Sequence, residues 1–316
     1  MPLFYYVSGY LYKEKYEKME LKEYIKKRAK ELLYPYITLT IINFLWYIIK
    51  EHSINGILKY IISFLYSNYI FDINYVGAVW FLMSLFIVEI LYMMLRKKSN
   101  LNITSIMVFI CFTIGILIQK IVSIKYFRLP FWIDISLFGL LFYHLGHIIK
   151  IKCNNLKFYK KVIILVLSII LNISAIILNY KYCYTDKFLG RIDMLYLHFG
   201  NYILFLLASI SGILTWQIIS ELICKNKLLE LLGQNTLVIM GIHIIFIQIL
   251  VKLFKILELA IDVYVQGGII FIITTTCSLI CSLIIKKYFV LFLIIYSIIL
   301  IKQGRNSYEN IISELW

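Results

Sequence analysis

Short catalytic fingerprints are missing from this chain of 316 residues. It has no GxSxG elbow, no P-loop and no HExxH pair, so nothing in it signals the soluble-enzyme chemistries that those motifs carry. Cysteine offers as little: Cys111, Cys153, Cys183, Cys224, Cys277 and Cys281 include no CxxC and no grouping with His at metal-ligand spacing. Neither a disulfide framework nor a zinc site is indicated. Cys277 and Cys281 share one helical face, as small residues packing against a neighbouring span do. Low-complexity linkers and internal repeats are also absent, which makes one integral domain the simplest organisation. Charge is sparse at 16%, and acidic residues are the scarcer sign, 17 against 32 Lys and Arg.

Apolar residues fill the space those absences leave. At 62% hydrophobic residues and a mean hydropathy of +0.86, a soluble domain could not keep its surface solvated, so the chain belongs in a bilayer. A net charge of +15 would suit nucleic acid only if it lined a folded basic face. Here the lysines fall in short blocks between apolar runs, which is the pattern of topology signals. Tyr and Phe cluster near the ends of those runs, where an amphipathic ring suits the water boundary.

Backbone groups left unpaired in hydrocarbon are costly, so each long apolar run is read as a helix. The fold class is all-α, a polytopic integral membrane bundle. Eight full spans are expected, at about 32–49, 79–95, 101–119, 131–149, 162–179, 201–223, 236–254 and 267–285. The opening run, Met1 to Tyr12, is about half the length of a crossing and counts as a partial span. A short run from Tyr288 to Ile301 either crosses or lies along the interface, and the residues after 301 form a polar tail. The domain is therefore drawn as 1–301, with 302–316 outside it. With Lys13 to Glu31 placed inside, the inner blocks hold about 20 Lys and Arg against about 10 in the opposite loops. Lys13 to Glu31 interleaves Glu and Lys as a helix leading into the next span, with Glu14 and Lys18, and Glu23 and Lys27, spaced to pair. Ile54 to Ile70 has the one-sided pattern of an outer interfacial helix.

Ionisable residues inside spans are functional candidates by default. Glu89 lies deep in its run and requires a polar partner in the bundle interior; Asp134 is also within a span. His144 and His147, beside Lys150, read as interface histidines. His243 follows a Gly-Gln-Asn-Thr segment able to start a helix. It is either a general base or substrate contact, or a neutral histidine hydrogen-bonded between helices. Arg191 and Asp193 precede His198 and Asn201 in an outer loop. Two residues apart, they point to different sides of a helix, so a turn or extended loop suits a joint role on sugar hydroxyls or a phosphate better; the alternative is a solvated loop pair. Arg28, in a basic cluster beside Pro35, either anchors the inner face or holds coenzyme phosphates. Trp80 alone is an interfacial aromatic.

MPLFYYVSGYL at Met1 resembles the MPLFFFISGYL signature of the membrane-bound acyltransferase-3 family. Further segments fall in the family's order: KKRAKELLYPY, GAVWFLMSLFIVEIL, LPFWIDISLFGLLFYHLGHII, RIDMLYLHFGN and LLGQNTLVIMGIHIIF. The likeness is to the branch containing fucose 4-O-acetylase-like proteins. It implies a bundle of about ten spans in a bacterial cytoplasmic membrane, taking an acyl group, usually acetyl, from acyl-CoA inside to a sugar hydroxyl of a surface polysaccharide or glycolipid. No bound cofactor or metal is implied, since acyl-CoA is a donor substrate. Matched motif by motif, Arg28 falls near the donor, Trp80, Arg191, Asp193 and Asn201 toward the acceptor, and His243 on the family's late-span histidine. The family signature lies within a second span. The first span, with its arginine and catalytic histidine, is therefore expected upstream of Met1, and no catalytic residue is assigned here. A transporter or flippase for a lipid-linked glycan, and a non-catalytic relative, are the alternative readings. The first would show charges paired across spans or interrupted helices in related halves.

Overall fold

The computed structural model describes residues 1–51, 77–125, 128–152, 157–184, 190–223, 225–257 and 262–302, together with 61, 62, 64 and 66. Among these the regular structure is helical: α1 Pro2–Tyr10, α2 Leu21–Arg28, α3 Tyr34–Glu51, α4 Trp80–Lys98, α5 Leu101–Lys125, α6 Ile133–Lys152, α7 Phe158–Cys183, α8 Tyr202–Leu222, α9 Lys227–Ile256 and α10 Val263–Lys302. Eight helical stretches are long and apolar enough to cross a membrane, in agreement with the eight runs read from hydropathy. Short 3₁₀ turns at Glu14–Lys18, Gly77–Val79 and Pro130–Trp132 introduce α2, α4 and α6. The interfacial helix expected over Ile54 to Ile70 lies mostly outside the described residues, as do Cys153 and Cys224.

The chain divides into two compact units, Met1–Lys225 and Asn226–Trp316. The first is built around α1, α4 and α6. Helices α1 and α6 touch through their backbones: a Cβ on Gly9 would sit 1.8 Å from the Tyr143 carbonyl oxygen, and one on Gly146 would sit 2.0 Å from that of Tyr6. Close approach of this kind is how helices gain packing energy where lipid is as apolar as the side chains. It also gives a steric reason for the glycine in the opening run. Val88, Met93, Ile135, Phe138, Leu140 and Phe142 fill the core. Helix α5 adds Phe112, edge-on to Phe138 at 5.5 Å.

Helices α7 and α8 pair through polar groups that each would otherwise bury alone. Ser168 and Thr215 share a hydrogen bond of 2.8 Å, and the Asn172 amide donates to the Ala208 carbonyl at 2.6 Å. The opposite side of α7, with Ile163, Leu167, Ile170 and Ile177, is exposed, as a lipid-facing surface should be.

Contacts across the first unit collect the basic blocks. Lys150 donates to the Tyr12 carbonyl at 2.5 Å, and Arg96 pairs with Glu17 at 2.9 Å, so three of the blocks assigned to one side of the membrane meet at one end. The expected helix over Lys13 to Glu31 is broken by extended backbone at Met19 and Glu20. The sequence-based pairs Glu14 with Lys18 and Glu23 with Lys27 do not form; Lys27 lies 4.9 Å over the Tyr16 ring. After α2, a π-helical turn at Ala29–Leu33 carries the chain into α3.

In the second unit, α9 begins at Lys227, where the Asn226 side chain accepts from the Leu228 and Leu229 amides. The Gly-Gln-Asn-Thr segment therefore lies inside the helix and does not start it. Asn235 is buried and accepts from Ser282 at 2.8 Å. Thr274, Ser278 and Ser282, at four-residue spacing, form one buried polar face of α10. The run Tyr288 to Ile301 continues α10 without a break. At 40 residues that helix is about 60 Å long, twice the hydrocarbon thickness.

Candidate functional site

Polar groups in the first unit concentrate at its two ends. At the basic end, Glu89 finds the partner its buried position requires: Arg28 Nε lies 2.8 Å from Glu89 Oε2. Arg28 also binds Glu31, one turn along the helix. Its guanidinium lies 4.9 Å over Tyr16 and 5.3 Å over Tyr24, a cation held by two carboxylates and two aromatic faces. The contact with Glu89 lacks hydrogen-bond alignment, and both facing atoms remain without a hydrogen bond. Arg28 carries less unspent charge than a lone arginine would offer a phosphate.

Beside this pair lies a cluster of tyrosines. Tyr12 packs edge-on against Tyr92 at 5.2 Å and Tyr16 at 5.8 Å, and Tyr143 lies 4.9 Å from Tyr92. The Tyr92 hydroxyl sits between the Nδ1 atoms of His144 at 3.0 Å and His147 at 2.7 Å. Ser105 closes the chain on His144 Nε2 at 2.9 Å. One hydroxyl donates a single proton, so the histidine that does not receive it must itself donate to the tyrosine oxygen. The two histidines are 3% and 1% exposed, which corrects their reading as interface residues.

At the opposite end a second buried pair joins Arg128 Nε to Asp134 Oδ2 at 2.5 Å. Arg128 Nη1 donates to the Leu195 carbonyl at 2.9 Å, and Asp134 Oδ1 accepts the Ile135 amide. Trp80 and Trp132 meet here with ring centroids 5.8 Å apart, so Trp80 is buried within this end of the bundle. Phe131 and Trp132 both have positive φ, 57° and 58°, a conformation bulky residues adopt only when the surroundings fix it. A buried chain, Tyr5 to Ser84 at 2.6 Å and Ser84 to Ser136 at 2.9 Å, extends from this end into the bundle.

The sequence-derived acceptor residues are placed as follows. Residues 190–200 form the expected turn: Asp193 and His198 pair through their backbones, and the Asp193 carboxylate accepts from the Leu195 and Tyr196 amides. Arg191 is exposed and forms no ion pair with Asp193 among the described residues. Asn201 caps α8, accepting from the Ile203 and Leu204 amides. His243 lies on α9 in the second unit, half-buried, with Nδ1 2.8 Å from the Met240 carbonyl of its own helix. Among the described residues no group of three His, Cys, Asp or Glu is placed to hold a metal ion.

Sequence reasoning passed over Arg128 and the tyrosines. Arg128 stands in a loop before Pro130, and tyrosines near span ends are ordinarily boundary residues. The available signal was spacing: Trp80, Ser84, Val88, Tyr92 and Arg96 recur every four residues along α4, a row that winds slowly around the helix from one end to the other.

A multispan helical bundle with an arginine and a carboxylate buried at each end is an integral membrane protein equipped for polar chemistry. The chain belongs to the acyltransferase-3 family: a family model described as an acyltransferase domain matches residues 1–287. It is thereby a membrane acyltransferase domain. No curated protein and no solved structure matches it.

Proposed function

We propose that the protein is an O-acyltransferase that takes an acetyl group from acetyl-CoA at the basic end. That end is cytoplasmic by the distribution of lysine and arginine, and the acetyl group passes to a sugar hydroxyl of a surface polysaccharide or glycolipid at the other end. In the reaction the thioester C–S bond breaks and an ester C–O bond forms. The hydroxyl proton passes to a base, and coenzyme A leaves as its thiol. The observation that carries the two-ended reading is the repetition of one chemistry at both ends of the α1–α4–α6 core. An arginine against aromatic rings stands at each, Arg28 with Tyr16 and Tyr24, and Arg128 with Trp132. Arg28 belongs to the donor end. Trp80 and Arg191 are assigned to meet the acceptor, and Asp193 and Asn201 to hold the turn that forms its mouth; His243, in the second unit, is a substrate contact only by its match to the family's late-span histidine.

Membranes from cells expressing the gene extended upstream of the Met1 codon, incubated with radiolabelled acetyl-CoA, test this. Label should enter a glycan or glycolipid fraction and be released by mild alkali, as an O-acetyl ester is. Movement of the glycan across the membrane with no acetyl incorporation would replace the proposal with transport.

A further inference from the structure

Between α1 and α2 the chain crosses the basic end as a strap, residues 12–20, with one 3₁₀ turn and extended backbone at Lys13, Met19 and Glu20. Three contacts hold it, and all run in one sense. The cations belong to the bundle and the acceptors to the strap: Arg96 Nε to Glu17 Oε1 at 2.9 Å with Arg96 Nη2 to Oε2 at 3.4 Å, Lys97 Nζ to the Met19 carbonyl at 2.9 Å, and Lys150 Nζ to the Tyr12 carbonyl at 2.5 Å. Around these contacts lie buried donors that nothing accepts from: Arg96 Nη1, the Tyr12 hydroxyl and the Tyr143 hydroxyl. Buried groups of this kind are normally satisfied, and each one left open costs about 1–3 kcal/mol. Two lysines engaged only by neutral carbonyls, an arginine on one partly exposed carboxylate, and three unspent donors among them describe a site for a ligand rich in anionic oxygens.

We propose that Arg96, Lys97 and Lys150 form the polyphosphate-binding part of the donor site, and that the strap is its occupant in the empty protein, with Glu17 standing on Arg96 where a phosphate of coenzyme A binds. The inference rests on the donor reading above and adds to it the residues and the competitor. The five-residue 3₁₀ turn has no side-chain cap and exposes Lys13, Lys15 and Lys18, while Tyr12 and Tyr16 stay buried, so the part that opens is the exposed side of the turn that carries Glu17. Arg96 offers a planar fork able to take two phosphate oxygens, and Glu17 already engages it through two oxygens.

Binding of coenzyme A itself, which cannot turn over, to the purified chain in lipid nanodiscs provides the test. Glu17→Gln should bind about five-fold more tightly than wild type, the scale of a partly exposed ion pair removed from competition. Arg96→Gln should bind more weakly, and Glu17→Asp, which keeps the charge, should stay near wild type. In the unmutated chain, saturating coenzyme A should speed amide hydrogen exchange across residues 13–20, a readout that depends on no variant folding. If coenzyme A binds but exchange is unchanged and Glu17→Gln and Arg96→Gln bind as wild type does, the strap proposal is overturned and the donor reading survives. If neither wild type nor Glu17→Gln binds coenzyme A, both fall.

Discussion

The two ends of the first unit each bury an arginine against a carboxylate, yet the pairs are built differently. Arg128 and Asp134 are six residues apart, bonded at 2.5 Å, with a second guanidinium nitrogen on the Leu195 carbonyl and the second carboxylate oxygen on the Ile135 amide. Arg28 and Glu89 come from distant helices, meet at 2.8 Å without hydrogen-bond alignment, and share the cation with Glu31. Arg128 Nη2 stays without a hydrogen bond, but the two charged groups are bonded to each other and each has a further backbone partner, so this pair works as a fastener: removing either partner strands a charge. A pair with open valences and a second carboxylate at hand can change partners. The comparison assigns rigidity to the Arg128 end and adjustability to the basic end.

Breaking the fastener should do the most damage. Asp134→Ala leaves Arg128 buried beside Trp132 without its counter-ion and should cost about 3–5 kcal/mol, read as a large drop in Tm of the detergent-purified protein. Overfilling the seam that joins the ends comes next. Gly146→Leu places side-chain atoms where the Tyr6 carbonyl stands and should cost about 3 kcal/mol, lowering Tm and loosening both ends together. Tyr92→Phe removes the hydroxyl shared by His144 and His147, for about 2 kcal/mol, and should raise hydrogen exchange at the basic end alone. Glu89→Gln should cost least, about 1 kcal/mol, because Glu31 keeps Arg28 paired. Equal losses for Asp134→Ala and Glu89→Gln would erase the distinction between the two pairs.

Much of the scaffold was legible because apolar length and basic bias act locally along the chain. All eight runs became helices, and the blocks at Lys13–Lys30, Arg96–Lys98 and Lys150 met at one end. Glu89 also announced itself, since a carboxylate in an apolar run must find a partner. That the partner is Arg28 was not legible: it lies 61 positions earlier, and the π-helical turn that follows it shifts the helical register there. The glycines at 9 and 146 look like any small residues until two backbones are seen to touch. Tyr12, Tyr92 and Tyr143 have the composition of a boundary belt, and only tertiary packing distinguishes a buried hydroxyl from a wet one. Asp193 and Asn201 show the reverse: residues chosen for their chemistry are occupied in holding a turn and capping a helix.

A photoreactive acyl-CoA analogue, cross-linked in native membranes and mapped by mass spectrometry, addresses the proposed division between donor and acceptor ends most directly. Adducts should fall on the strap and the basic turn of α4, within Tyr12–Arg28 and Glu89–Lys98, and be lost when unlabelled coenzyme A is added in excess. Competable adducts confined to residues 77–80 and 128–134 would place the donor at the opposite end and contradict the account.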